Sequence, residues 1–217
     1  MSENARVKAL EQIMPATHGA DEDIDWQAVE AVWGTRFPSD YVAFMGRFGA
    51  GSINGEAGIL LPLPKPGLQW APAEMAEETA NARQAWEAEG GRAAFDVDPE
   101  SIIAWGVTGG SDILCWLATD PDPERWPVLV AGRHTADSFA VYPYGMAEFL
   151  LRLCSDEFDV SPVGITFWDG GHLSFVHWRK AQRRWQEGRN PETGEPDPYA
   201  GDFADEPTDQ PTDQPTD

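Results

Sequence analysis

Between residues 26 and 51, WQAVEAVWGTRFPSDYVAFMGRFGAG, the apolar positions fall into two short helical stripes divided by fixed punctuation. In the first, Trp26 and Trp33 stand at i and i+7, on one face of a helix. In the second, Tyr41, Phe44, Met45 and Phe48 occupy i, i+3, i+4 and i+7. Gly34 separates the two. Pro38 sits where a helix's first turn tolerates proline, because the missing N–H would be unpaired there anyway. Gly49 and Gly51 then stop the second helix. The segment holds no His, no Cys and no nucleophile beside a base, so its pattern is one of packing.

Upstream, Val7, Leu10 and Ile13 make one helical turn ended by Pro15, and residues 1–20 read as an N-terminal arm. Residues 51–64 carry a turn signal at Asn54-Gly55 and then an apolar run, 59–63, that predicts a strand. Residues 73–89 are rich in helix formers and end at Gly90-Gly91. Four short apolar runs follow, at 102–107, 113–117, 126–131 and 139–142. Their turn-rich separators predict an antiparallel meander. Met146, Phe149, Leu150 and Leu153 restore the helical period. Beyond Asp159, two runs (163–168 and 173–178) about Gly170-Gly171 predict a strand pair capped by a basic helix to Glu187. The expected fold is α+β. Two N-terminal helices pack on a mainly antiparallel sheet in a domain of residues 21–159, with a strand-pair and helix extension, 160–188, packed on it.

Charge changes the picture next. The chain of 217 residues carries 37 acidic and 15 basic side chains, a formal net charge of −22. Residues 190–217 hold nine acidic side chains and no basic one, and 178–189 hold five basic ones. The remaining 27 acidic and 10 basic residues leave the body itself acidic. Such a field repels nucleic acid and anionic lipid and draws basic partners inward, although acidity for solubility alone is the plainer alternative. The basic helix is expected to dock on acidic surface of its own chain. Residues 189–217, ending in the repeat PTDQPTDQPTD, are expected to form a disordered acidic tail: ordering them costs more entropy than Tyr199 and Phe203 can return. Ten tryptophans and 41% apolar residues supply one ordinary core. The N-terminus has no apolar h-region and no run reaches the length of a membrane span, so a cytoplasmic protein is expected. Cys115 and Cys154 read as reduced core thiols.

Candidate chemistry is sparse. Neither G-x-S-x-G nor H-E-x-x-H occurs, and GVTGGSD (106–112) lacks the ending of a phosphate loop, so it reads as a hairpin turn. His172 and His177, with Asp169, suggest a metal site, but the two histidines are five apart on a predicted strand and project to opposite faces, which argues against it. No catalytic residue, metal site or cofactor is predicted. Asp96, Asp98 and Glu100 alternate, as do Asp120, Asp122 and Glu124. On an extended chain each trio lines one face at about 7 Å spacing. A pair of such carboxylates is compatible with a hydrolytic site. Solvated charge or a rim for a basic protein partner fits their Pro-bearing loops better. With Asp112 and Asp137 from the hairpin turns, these are the candidate partner-binding residues. Trp105, Trp116 and Trp126 lie in strand-like runs, where burial is the default.

Taken in order, these features resemble the SUKH superfamily, also called the Smi/Knr domain. The resemblance rests on Gly34, Phe37, Pro38, Asp40, Tyr41, Gly49 and Gly51. It continues through Trp105, Gly106, Gly109, Gly110 and Asp112 running into ILCWL, then Pro127-Val128 and a final helix with Phe149 and Leu150 to Leu153. It spans about residues 26–155. Trp105 departs from the commoner Phe, and the extension and tail are additions. The resemblance implies a non-enzymatic α+β domain. Its bacterial branch is similar to immunity proteins that bind and neutralise a cognate toxin, frequently a nuclease, by stoichiometric occlusion, and a basic nuclease would suit the acidity of this chain. A regulatory interaction module without a toxin partner is the alternative. Arg outnumbers Lys twelve to three, a mark of a high-GC bacterial genome that favours the immunity branch over fungal cell-wall regulators.

Overall fold

Asp25 opens the first predicted helix by accepting from the N–H of Gln27 at 3.0 Å and of Ala28 at 3.1 Å, an N-cap that serves two otherwise unpaired donors. The structure, a computed structural model, describes residues 3–15, 22–64, 74–89, 95–133, 137–165 and 173–198. Its helices are α1 (Glu3–Ile13), α2 (Trp26–Trp33), α3 (Ser39–Arg47), α4 (Met75–Ala88), α5 (Met146–Cys154) and α6 (Trp178–Gln186). Its strands are β1 (Gly51–Ile53), β2 (Ala57–Ile59), β3 (Ile102–Thr108), β4 (Ile113–Leu117), β5 (Val128–Ala131), β6 (Phe139–Tyr142) and β7 (Phe175–His177).

The seven strands form one sheet in the order β6-β5-β4-β3-β2-β1-β7, every neighbouring pair antiparallel. Six of them meander in chain order, and β7 returns to close the free edge of β1. Helices cover both faces. Phe139 and Tyr142, three residues apart on β6, point to opposite sides. Phe139 meets Trp86 of α4 at 4.8 Å between ring centroids, and Tyr142 meets Phe149 of α5 at 5.4 Å. Helices α1, α3 and α5 make the layer on the Tyr142 side. There Trp116 touches Tyr41 and Phe37 at 5.1 and 5.6 Å, and Trp105 touches Phe149 at 6.1 Å. On the other side Thr79 of α4 accepts the Ala104 N–H at 3.0 Å, where β3 slips register against β4. Two covered faces explain why β4 and β5 read as unbroken apolar runs instead of alternations.

The predicted arm contains α1, seated on α3 and α5. Val7, Leu10 and Met14 are buried while Ile13 is 37% exposed, so Met14 takes the inward position expected of Ile13. Arg6 pairs with Glu148 at 2.5 Å, and Arg47 pairs with Glu11. At the next hairpin, Asn54 and Gly55 both adopt positive φ (53° and 71°), and the Glu56 N–H closes the turn on the Ile53 carbonyl at 2.9 Å. The strand after this turn ends at Ile59, earlier than the apolar run suggests. Trp126 precedes β5, its indole N–H held by the Asp120 carbonyl at 2.7 Å.

The extension departs from expectation. Residues 163–165 are not strand, and β7 pairs with β1 instead of with a strand of its own. Phe175 explains the choice: it packs on Phe44 at 6.0 Å and Phe48 at 5.3 Å, an apolar seat no local hairpin offers. The expected turn at Gly170-Gly171 and His172 lie outside the described residues. The start of the expected disordered tail is ordered. Arg189 bridges Pro196, Asn190 donates to the Glu195 carbonyl at 2.9 Å, and Asp197 donates to the Gly188 carbonyl at 3.0 Å. The Arg184 guanidinium donates to the carbonyls of Pro191 and Glu192. Local and charge-assisted hydrogen bonds, which a count of apolar side chains ignores, hold this turn. Burial keeps the Glu192 carboxyl above its ordinary range, opposed by Ser52 and Arg184. The remainder, 199–217, lies outside the described residues.

One buried cluster fastens the extension to the domain. The Glu22 carboxylate accepts the Trp178 indole N–H at 2.5 Å and lies 2.9 Å from His177 Nε2 and 3.6 Å from the Arg179 guanidinium. His177 Nδ1 accepts the Arg179 N–H at 3.2 Å and so caps α6. Gly49 (φ 73°) runs against this cluster, where a Cβ would stand 2.6 Å from His177 Nε2 and 2.8 Å from Glu22 Cγ. Gly49→Ala is therefore expected to destabilise by about 2 kcal/mol or more. Gly46→Ala, with nothing within 4 Å of its Cβ on α3, is expected to stabilise by about 0.5–1 kcal/mol. Urea denaturation of the two variants checks both signs.

Cys115 and Cys154 are free and buried. Burial pushes the Cys154 thiol up to about 12 and raises Cys115 also. Both stay protonated at neutral pH, so a thiol reagent is expected to label neither until the protein unfolds. Labelling with and without denaturant measures this.

Candidate partner-binding surface

Strand register decides which of the candidate carboxylates meet. Ile102 pairs with Leu117, so the chain before β3 and the chain after β4 emerge at the same end of the sheet. The Ala118 N–H donates to the Ser101 carbonyl at 2.7 Å and ties them. Both segments contain the tripeptide Asp-Pro-Glu, and both fold it identically. Asp98 accepts the Glu100 N–H at 3.0 Å over a short 3-10 turn, Pro99–Ser101. Asp122 accepts the Glu124 N–H at 3.3 Å over Pro123–Arg125. Proline at the first position of each turn forfeits no hydrogen bond. The alternating acids thus build capped turns, in contrast to the extended faces that their spacing predicts.

Five of the six carboxylates of the two trios lie at this end; Asp96 stands further back, next to Phe95, which stacks on Trp86 of α4 at 5.5 Å. Asp96, Asp98, Glu100 and Glu124 are exposed; Asp120 and Asp122 are half-buried. Several also hold neighbouring parts of the protein. Glu100 pairs with Arg83 of α4 at 2.8 Å, and Glu124 accepts both the N–H and the hydroxyl of Ser39, at 2.9 and 3.0 Å. Arg125 stands 3.6 Å from Asp120 and 3.8 Å from Asp122.

Asp112 and Asp137 lie at the opposite end of the sheet. Asp137 is exposed in the β5–β6 connection. Asp112 is fully buried, which corrects its place among surface candidates. Its Oδ2 accepts the Thr108 hydroxyl at 2.9 Å and the Gly164 N–H at 2.8 Å, and its Oδ1 accepts the Arg133 N–H at 2.9 Å. It joins two hairpins to the start of the extension and is unavailable to a partner.

Sequence reasoning missed two grooves flanking α4. One, of about 480 Å³, is bounded by Trp33, Arg83, Glu87, Pro99 and Glu100, directly beside the gathered carboxylates. The other, of about 580 Å³, lies over the hairpin end of the sheet, between Glu78 and Ala85 of α4 and Arg133 and Phe139. Only the exposed small residues Ala76 and Ala80 hinted at the first. Among the described residues, no three His, Cys, Asp or Glu side chains converge so as to hold a metal ion, and no helix is long and apolar enough to cross a membrane.

Asp112→Ala is expected to cost about 3 kcal/mol, because it strands buried donors. Asp96→Asn, at an exposed position whose φ of 49° asparagine tolerates, is expected to stay within about 0.5 kcal/mol of the parent. Denaturant midpoints at equal ionic strength separate the two.

Neither a curated protein nor a solved structure matches this chain. A family model does, over residues 20–152, a span that takes in the helix pair, α4, the meander and most of α5. The chain therefore belongs to the SMI1 / KNR4 family (SUKH-1).

Proposed function

We propose that this chain is a cytoplasmic immunity protein, which binds a cognate bacterial toxin and neutralises it by stoichiometric occlusion. One observation carries the reading: five carboxylates, from two separate segments, are brought to one end of the sheet of an acidic member of this family. The capped turns fix their backbones before any partner arrives, so little ordering entropy is lost on binding. A basic toxin domain, a nuclease for example, presents the complementary charge. Such complementarity raises association toward about 10⁸–10⁹ M⁻¹s⁻¹. It also covers the surface on which the nuclease would receive phosphates, so occlusion needs no chemistry by this chain.

The test is co-expression with the toxin domain encoded beside the gene, followed by binding kinetics of the purified pair. Relief of toxicity with a one-to-one complex is expected. Raising salt tenfold is expected to slow association by about tenfold or more. Asp98→Asn and Glu100→Gln together are expected to lower the association rate further than they raise dissociation. Toxicity unrelieved by co-expression, together with capture of a non-toxin partner, overturns the reading in favour of a regulatory interaction module.

A further inference from the structure

We propose that the groove between the end of α2 and the outward face of α4 receives an arginine side chain of the basic partner, an inference that rests on the reading above. The wall is Trp33. Its indole N–H donates to the Pro62 carbonyl at 2.8 Å, and its ring meets Phe37 edge-on at 5.9 Å, so a half-buried aromatic is held in place. The floor is α4. Ala76, Ala80, Arg83 and Glu87 fall at i, i+4, i+7 and i+11 on one face, and the two alanines leave the groove open.

Charge selects the occupant. Arg83 is committed to the chain entering β3: Nε donates to the Ile102 carbonyl at 3.1 Å, Nη1 to the Glu100 carboxylate at 2.8 Å and Nη2 to the Glu100 carbonyl at 2.8 Å. With that charge matched by Glu100, Glu87 leaves the lining net negative among the described residues. An anion is repelled, and an apolar ligand would desolvate carboxylates without compensation. A guanidinium satisfies every surface: its plane stacks on the indole, its stem lies on the alanines and its fork reaches a carboxylate. Lysine offers only a point charge. Glu100 belongs both to the groove and to the gathered carboxylates, so one partner face engages both.

The test uses the full chain and fluorescein-labelled hexa-arginine and hexa-lysine peptides, read by anisotropy at low salt. Hexa-arginine is expected to bind the tighter of the two. Ala80→Phe, which fills the groove from an exposed position, and Glu87→Gln are each expected to weaken hexa-arginine by about tenfold. Glu187→Gln, on α6's C-terminal cap, removes the same charge elsewhere and is expected to leave affinity unchanged. Unfolding midpoints confirm that each variant is folded, and Glu87→Gln carries the test if Ala80→Phe is not. Equal affinity for the two peptides overturns the choice of arginine. Variants that bind like the parent while salt still abolishes binding overturn the groove and leave the acidic surface standing. A parent that binds neither peptide overturns the basic-partner reading itself.

Discussion

Three consecutive residues at the start of α3 hold three other parts of the molecule in place. Ser39 is bound by Glu124 from the loop before β5, Asp40 accepts the Ala147 N–H at the start of α5 at 2.9 Å, and the Tyr41 hydroxyl donates to the Leu60 carbonyl at 2.7 Å. Asp40 and Tyr41 are buried, so failure at either leaves a polar group without water to replace the lost partner. Burial first, and the Glu22 charge second, push the Tyr41 pKa well above its ordinary value, so the phenol stays a neutral donor. Gly145 allows the Asp40 contact, since a Cβ there would stand 2.9 Å from Oδ2. The pattern that reads along the sequence as a helix start thus acts in space as a clamp. The orientation of α3 on the sheet, and with it the place of α5 and α1, follows from this short run of residues.

Around that clamp the core is built chiefly from rings. Trp26, Phe37, Tyr41, Trp105, Trp116 and Trp126 form a chain of edge-on and tilted contacts with centroids 5.1 to 6.4 Å apart. The indole N–H groups of Trp86, Trp105 and Trp116 find no acceptor among the described residues. Each forgone hydrogen bond costs about 1–3 kcal/mol, while a buried ring contributes 150–250 Å² of apolar surface, by general experience of aromatic side chains. Area outweighs the lost bond. Large rings at these sites fill volume between two helical layers and a sheet, and their polar atoms are incidental.

What was legible in the sequence divides along the distance of the interactions involved. The helix pair and the turn at Asn54-Gly55 could be read because caps, proline and positive-φ positions act within a few residues. The meander could be read from run lengths alone, since covering both faces removes the alternation that usually marks a strand. The pairing of β7 with β1 could not. It joins Ile53 to Phe175 and depends on Phe175 finding Phe44 and Phe48. The acidic trios were visible but misjudged: alternation implied an extended face, whereas Asp98 and Asp122 curl the chain back to cap their own turns. Asp112 looked like one more surface acid because nothing local reveals that Gly164 folds over it. Trp33's groove is lined jointly by the end of α2, the face of α4 and the Pro99–Glu100 turn, a juxtaposition no local pattern encodes.

Gly51 has a further consequence. A Cβ on it would collide with the Val176 carbonyl, so the bare backbone at this position is what lets β7 lie alongside β1. The likeness to the family ends at residue 152, but the sheet does not end there. Without β7, β1 would present unpaired amides and carbonyls to any passing strand, the usual opening for chain-to-chain association. The terminal extension is thus a built-in bandage over a sticky seam. A piece cut at the family boundary would keep the recognisable domain and lose its protection against its own copies.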